Sequence, residues 1–170
     1  IAVYIDEMKK MNIKLLPPSI NKAIREFSAL EQDGKDAIIY GLGAIKSVGI
    51  APVENLLEAR QDGEFKDIND FLGKIDPAKI NRRTLENLIK AGAFDEFGFT
   101  RKALFDNIEN LAEASRKIAE VRKNAASSLF GEEELTSGVQ VNFIPKNEEF
   151  EVMEKLGYEK EILGIYVSGH

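Results

Sequence analysis

Between Tyr40 and Arg60 the chain has few conformations open to it. The run Tyr40-Gly41-Leu42-Gly43-Ala44-Ile45-Lys46-Ser47-Val48-Gly49-Ile50 reads as a short helix followed by a tight turn, with glycine flanked by apolar residues at Val48-Gly49-Ile50. A second helix follows from Ala51 to Arg60. Pro52 stands at its start, where a missing N–H costs little, and Val53, Leu56 and Leu57 continue one apolar face. Glycine lets such a turn come close to another surface. The helix behind it begins with N–H groups that have no partner in the helix, and these favour phosphate.

The same logic recurs at Leu88-Ile89-Lys90-Ala91-Gly92-Ala93-Phe94. Two such units in tandem describe a module that grips a nucleic-acid backbone without reading its sequence. On that reading, N–H groups at Val48, Gly49 and Ile50 and at Ala91, Gly92 and Ala93 donate to phosphate, and Lys46, Lys90, Arg101 and Lys102 neutralise its charge. The other reading of both turns is an ordinary connection between packed helices, with glycine as a C-cap.

The remaining segments set a mainly α fold. Residues 1–12 have helical spacing, and Pro17-Pro18 stops any regular element. Asp33-Gly34 lies between an alternating stretch at Phe27–Glu31 and the apolar Asp36–Tyr40, which predicts a β-hairpin. Ile68, Phe71 and Leu72 mark a helix. Asp76-Pro77 opens a turn, and Asn81 caps a helix that stops at Gly92. Phe94, Phe97 and Phe99 plug the core. Thr100 caps one long helix from Arg101 to Lys123. Residues 124–150 hold few core-type side chains and read as a partly flexible acidic linker. Val152–Leu156 adds a short helix.

Charge is distributed in a way that matters for partners. The net charge of −6 argues against nucleic acid. Glu132–Glu161, however, carries nine acids and three lysines, so the tail holds the whole imbalance. Lys74–Lys102 carries seven basic residues (Lys74, Lys79, Arg82, Arg83, Lys90, Arg101, Lys102) against four acids. That modest excess suits a module with few phosphate contacts.

Several chemistries find no support. The chain has no cysteine and a single histidine, His170, so a thiolate metal site or a histidine-based triad has no partners. Gly41-Leu42-Gly43 fails the dinucleotide pattern because Lys46 occupies the third glycine position, and the Walker ending Gly-Lys-Ser/Thr is missing. No apolar run is long enough to span a membrane. Cysteine usage makes a reducing cytoplasm the expected compartment. The start at Ile1 and the end at His170 suggest a piece of a longer protein. Leu129-Phe130 is an isolated apolar pair in the polar linker. It either docks back on the chain's own helices or anchors in a partner's pocket.

Four passages in order, Leu16-Pro17-Pro18-Ser19-Ile20-Asn21, Gly41 to Gly49, Leu88 to Asp95 and Leu163 to His170, resemble the family of bacterial replicative DNA polymerase III alpha subunits. The resemblance covers essentially the whole chain. It implies the end of the polymerase fingers with the β-hairpin at 1–40 and a tandem helix-hairpin-helix DNA-binding domain at 41–123. It also implies a linker with a sliding-clamp motif at 124–150 and the start of an OB-fold domain at 151–170. By position, Ala126-Ser127-Ser128-Leu129-Phe130 resembles the clamp-binding pentapeptide, with Ala126 where the family usually has glutamine. The implied partners are duplex DNA, the sliding clamp and other holoenzyme subunits. The parent would be a DNA-directed DNA polymerase, a nucleotidyltransferase using magnesium. Its catalytic aspartates have no counterpart here, so this piece would hold neither a catalytic residue nor a metal. The alternative is a protein–protein or structural module of the polymerase without direct DNA contact.

Overall fold

A computed structural model describes residues 2–125, 141 and 148–168 of the 170-residue chain. Seven α-helices and one small sheet are formed among them: α1 (Ala2–Lys10), α2 (Ile50–Ala59), α3 (Ile68–Lys74), α4 (Arg82–Ala91), α5 (Arg101–Asp106), α6 (Ile108–Ala125) and α7 (Val152–Leu163), with β1 (Lys14–Leu16), β2 (Ser28–Gln32) and β3 (Lys35–Ile39). Two 3-10 turns, Leu42–Ala44 and Asp95–Phe97, complete the order. The mainly helical class and the small N-terminal hairpin are as the sequence predicts.

The hairpin forms because Asp33 and Gly34 both take positive φ, 54° and 77°, the twist that suits a two-residue turn between antiparallel strands. β2 and β3 pair from Ser28 with Ile39 to Gln32 with Lys35. A third strand that the sequence reading treats only as an apolar stretch joins them. β1 lies parallel to β3, with Leu15 opposite Ile38, giving the order β1-β3-β2. Pro17 ends β1 directly, since it has no N–H for the ladder.

The chain then turns at Gly41 against residues 24–27. Leu42 N–H donates to Ile24 C=O at 2.8 Å, and Gly43 N–H to Arg25 C=O at 2.9 Å. A side chain at Gly41 would place its Cβ 2.6 Å from the Glu26 carbonyl carbon. Glycine is therefore fixed at this position by backbone packing. Tyr40, Leu42, Ile45, Val53, Leu56, Phe71, Leu88 and Phe94 fill one core. Phe71 meets Phe65 and Phe94 edge to face at 5.1 and 4.9 Å. Phe94 is fully buried, and Phe97 and Phe99 pack against the same core from its edge.

Two helical expectations change. The long helix expected from Arg101 breaks at Asn107. There the side-chain amide donates to Ala103 C=O at 2.7 Å and the backbone sits at φ −105°, ψ 17°. An asparagine that bonds its own backbone competes with helix continuation. The short helix expected at 152–156 instead runs on to Leu163 and lies along α4. Its end adds Ile162, Leu163 and Ile165 to the core. Among the described residues no helix is long and apolar enough to cross a membrane.

Candidate nucleic-acid interface

The turn between Leu42–Ala44 and α2 has the geometry of an open backbone cradle. Ile45 and Val48 are buried and pin the turn, which Val48 N–H closes on Ile45 C=O at 3.2 Å. Lys46, Ser47 and Gly49 are exposed between and beside them, as is Ile50. Ser47 takes a positive φ of 62°. Gly49 is the N-cap of α2 and has no side chain to cap the helix. Among the described residues nothing accepts from the N–H groups of Gly49, Ile50 and Ala51, and Pro52 has none to offer. These donors share one exposed end with the positive pole of α2 and with Lys46.

The glycine there is not demanded by its own backbone. Gly49 lies at φ −81°, ψ −174°, which any residue adopts, and an added Cβ would meet only Pro52 Cδ at 3.9 Å. The space in front of it faces outward.

The second proposed turn behaves differently. Gly92 takes φ 86° as the left-handed C-cap of α4. Its N–H donates to Ile89 C=O and that of Ala93 to Leu88 C=O, both at 3.0 Å. Ala91, Gly92 and Ala93 are buried, so these groups satisfy the end of α4 and are not free to bind phosphate. Arg101 also points inward and is only 3% exposed. Its guanidinium bonds Asp95 Oδ1 and Oδ2 at 3.1 and 2.9 Å and Glu159 Oε2 at 2.7 Å. Burial opposes its charge, but Asp95 and Glu159 outweigh burial and hold its pKa above the ordinary arginine value. Lys90 lies over Tyr158 at 4.5 Å and Phe105 at 5.2 Å. Lys102 is held by Asp106 at 2.9 Å, with Glu148 at 3.7 Å. Ala91, Gly92, Ala93 and Arg101 thus belong to a packing and ion-pair centre, which corrects their expected role as phosphate contacts, with Lys90 and Lys102 half-buried at its edge. Ala126, Ser127, Ser128, Leu129 and Phe130 lie outside the described residues.

A true counterpart of the first turn lies elsewhere. Val48-Gly49-Ile50-Ala51-Pro52-Val53-Glu54-Asn55-Leu56-Leu57 is repeated 32 residues later as Ile80-Asn81-Arg82-Arg83-Thr84-Leu85-Glu86-Asn87-Leu88-Ile89. The pairs Val48 and Ile80, Val53 and Leu85, and Leu56 and Leu88 are all buried. Gly49 and Asn81 are both N-caps. The second unit is therefore α3, the turn at 75–81, and α4. Asp76 shapes that turn by accepting from Ala78 N–H at 2.9 Å, while Asn81 accepts from Thr84 N–H at 3.0 Å. Lys79 and Arg83 are exposed there without an ion pair among the described residues. Arg82 is engaged by Glu86 and Glu109. The sequence signal of this repeat is Glu-Asn-Leu before an apolar residue in both helices, and it carries no second glycine.

Residues 12–104 match the helix-hairpin-helix motif. The chain belongs to the helix-hairpin-helix family. Over its whole length it is also 95% identical to DNA polymerase III subunit alpha of Campylobacter jejuni, where it spans 14% of that protein. It is 36% identical to the protein of the same name from Helicobacter pylori and 37% to that of Borreliella burgdorferi, again over its full length and 15% of theirs. The resemblance to DNA polymerase III alpha subunits thus holds from end to end, and the chain corresponds to a small part of such a protein. Both helix-hairpin-helix units lie within the matched residues. α6 and α7 lie beyond them, and α7 is nonetheless bound to the first hairpin: Lys46 N–H donates to Ile162 C=O at 2.9 Å, and Tyr40 O–H to Leu163 C=O at 2.7 Å.

Proposed function

We propose that this helix-hairpin-helix chain grips the backbone of duplex DNA without sequence preference, as part of a replicative DNA-directed DNA polymerase. The observation that carries the reading is the first hairpin, with three unpartnered N–H groups, an exposed lysine and the N-terminus of α2 facing outward together. Lys79 and Arg83 extend the basic surface to the second hairpin. Donors from backbone, with few cations, hold phosphate oxygens and carry no base information. The nucleotidyltransferase activity rests on the name of the relatives, and the catalytic groups would lie in other parts of the polypeptide.

Tethering to the sliding clamp through Ala126-Ser127-Ser128-Leu129-Phe130 is proposed from the sequence, with Leu129 and Phe130 as the hydrophobic plug. Contacts with other holoenzyme subunits and a cytoplasmic location belong to the same reading. Magnesium use by the parent polymerase belongs to the same reading. For residues 88–102 the alternative of a purely structural module is the better reading, since their N–H groups and Arg101 turn inward.

The test is the affinity of the chain for a labelled duplex across a salt series. Binding that weakens as salt rises, with a slope implying only a few phosphates, is expected. Sequence-specific or salt-insensitive binding would refute it.

A further inference from the structure

The two helix-hairpin-helix units brace each other through one residue type at one position. Asn87, the sixth residue of α4, donates its side-chain amide to Lys46 C=O in the first hairpin at 3.0 Å. Asn55, the sixth residue of α2, accepts at Oδ1 from Asp76 N–H in the second hairpin at 2.9 Å. Each asparagine is 8% exposed. Each helix thus carries, at matched positions, the side chain that fixes the other unit's turn. Both backbone groups of Lys46 are held, its carbonyl by Asn87 and its N–H by Ile162.

We propose that Asn55 and Asn87 are positioning residues that hold the two hairpins in register, so that the open N–H groups at Gly49–Ala51 and the basic residues near Arg83 meet one duplex backbone together. This rests on the DNA-backbone reading above. Arg83 lies one helical turn before Asn87 on α4, so the helix that the brace holds against the first hairpin also carries that exposed cation. A buried asparagine is a costly residue for this role unless its amide is satisfied, and a leucine there would fill similar volume without a hydrogen bond. Both asparagines touch the turns through backbone groups, so turn sequence can vary while turn position is kept.

The experiment is a double-mutant cycle in the 170-residue chain, with Asn87→Leu and Arg83→Ala alone and together. Asn87→Ser serves as a smaller neutral replacement should leucine disturb packing, and circular dichroism reports folding. Duplex affinity is read over a salt series. Asn87→Leu is expected to weaken binding about five-fold, the scale of one net hydrogen bond, and to lower the salt slope. In the Arg83→Ala background, where the second contact to be kept in register is gone, its cost should largely vanish. Equal costs in both backgrounds, with the slope unchanged, would overturn the brace and leave only general destabilisation. Hydrogen exchange at the Asp76 amide tests the other half without DNA. It should be protected in the parent chain and exposed in Asn55→Leu, and an unprotected amide in the parent chain would overturn the proposal. Absence of duplex binding by the parent chain would instead refute the reading on which the proposal rests.

Discussion

Gly49→Ala separates a binding role from a folding role. The backbone at φ −81°, ψ −174° accepts alanine, and the new Cβ would come no nearer to the chain than 3.9 Å. Two small terms act on stability. Alanine restricts the unfolded chain, which stabilises by about 0.4–1 kcal/mol. It is also a poorer N-cap than glycine, which costs about 0.5–1 kcal/mol. They nearly cancel, so the melting temperature should move little. Binding has no such compensation. The methyl group stands on the open side of the turn, where a phosphate oxygen must come within about 2.9 Å of an N–H. A hydrogen bond to a charged group is worth about 1.5–3 kcal/mol, so losing one raises Kd about ten- to a hundredfold. Fluorescence anisotropy with a labelled duplex, beside a thermal melt, reads both quantities. An unchanged Kd in a folded variant would refute the reasoning, because the N–H groups of this turn would then be spectators.

Gly92→Ala should do the opposite. Its φ of 86° is costly for alanine and the Cβ would lie 2.8 Å from Arg101 Cζ, so a loss of at least 1–3 kcal/mol in a denaturant titration is expected, with duplex affinity of the folded protein kept. Arg83→Ala should reduce the salt slope by about 1, whereas Arg82→Ala, already paired with Glu86 and Glu109, should change it less; the same salt series compares them. Glu159 is fully buried. Burial pushes its pKa up, but Ser168, Arg101 and the N–H groups of Val167 and Ser168 outweigh that and hold it below the ordinary 4.5. Its contribution to stability is therefore present above pH 4.5 and is lost as pH falls through the lower, folded value. Glu159→Gln should cost about 3 kcal/mol at neutral pH and flatten the acid limb of a stability–pH curve. Phe130→Ala should abolish capture of a sliding-clamp ring in a pull-down or surface-resonance titration, since a buried aromatic anchor is worth about 2 kcal/mol or more.

Local signals in the sequence carried most of the fold. Asp33-Gly34 announced the hairpin, Asn81 and Thr100 announced helix starts, and the apolar spacing of Val53, Leu56 and Leu57 marked a buried face. What was not legible depends on distant partners. β1 is three residues long and becomes a strand only by pairing with β3. The break at Asn107 competes with a periodicity that continues on both sides. For the site, Gly49 and Ile50 keep open N–H groups because a glycine N-cap leaves donors free, whereas the expected donor at Val48 is spent on Ile45 C=O. The second hairpin was misplaced because glycine serves two opposite ends of a helix. At Gly49 it opens α2, while at Gly92 it closes α4 and consumes the very N–H groups that phosphate would need. The inward turn of Arg101 could not be read either, as its partner Glu159 lies 58 residues away in a helix that looked like tail.

Anisotropy of labelled duplex and single-stranded DNA, titrated with the chain at low and at raised salt, tests the central claim most directly. The expected result is a preference for duplex, indifferent to sequence, that weakens with salt and is lost in Gly49→Ala. Equal binding of parent and Gly49→Ala, or no binding of the duplex at low salt, would contradict the claim that the Ile45–Gly49 hairpin grips the DNA backbone.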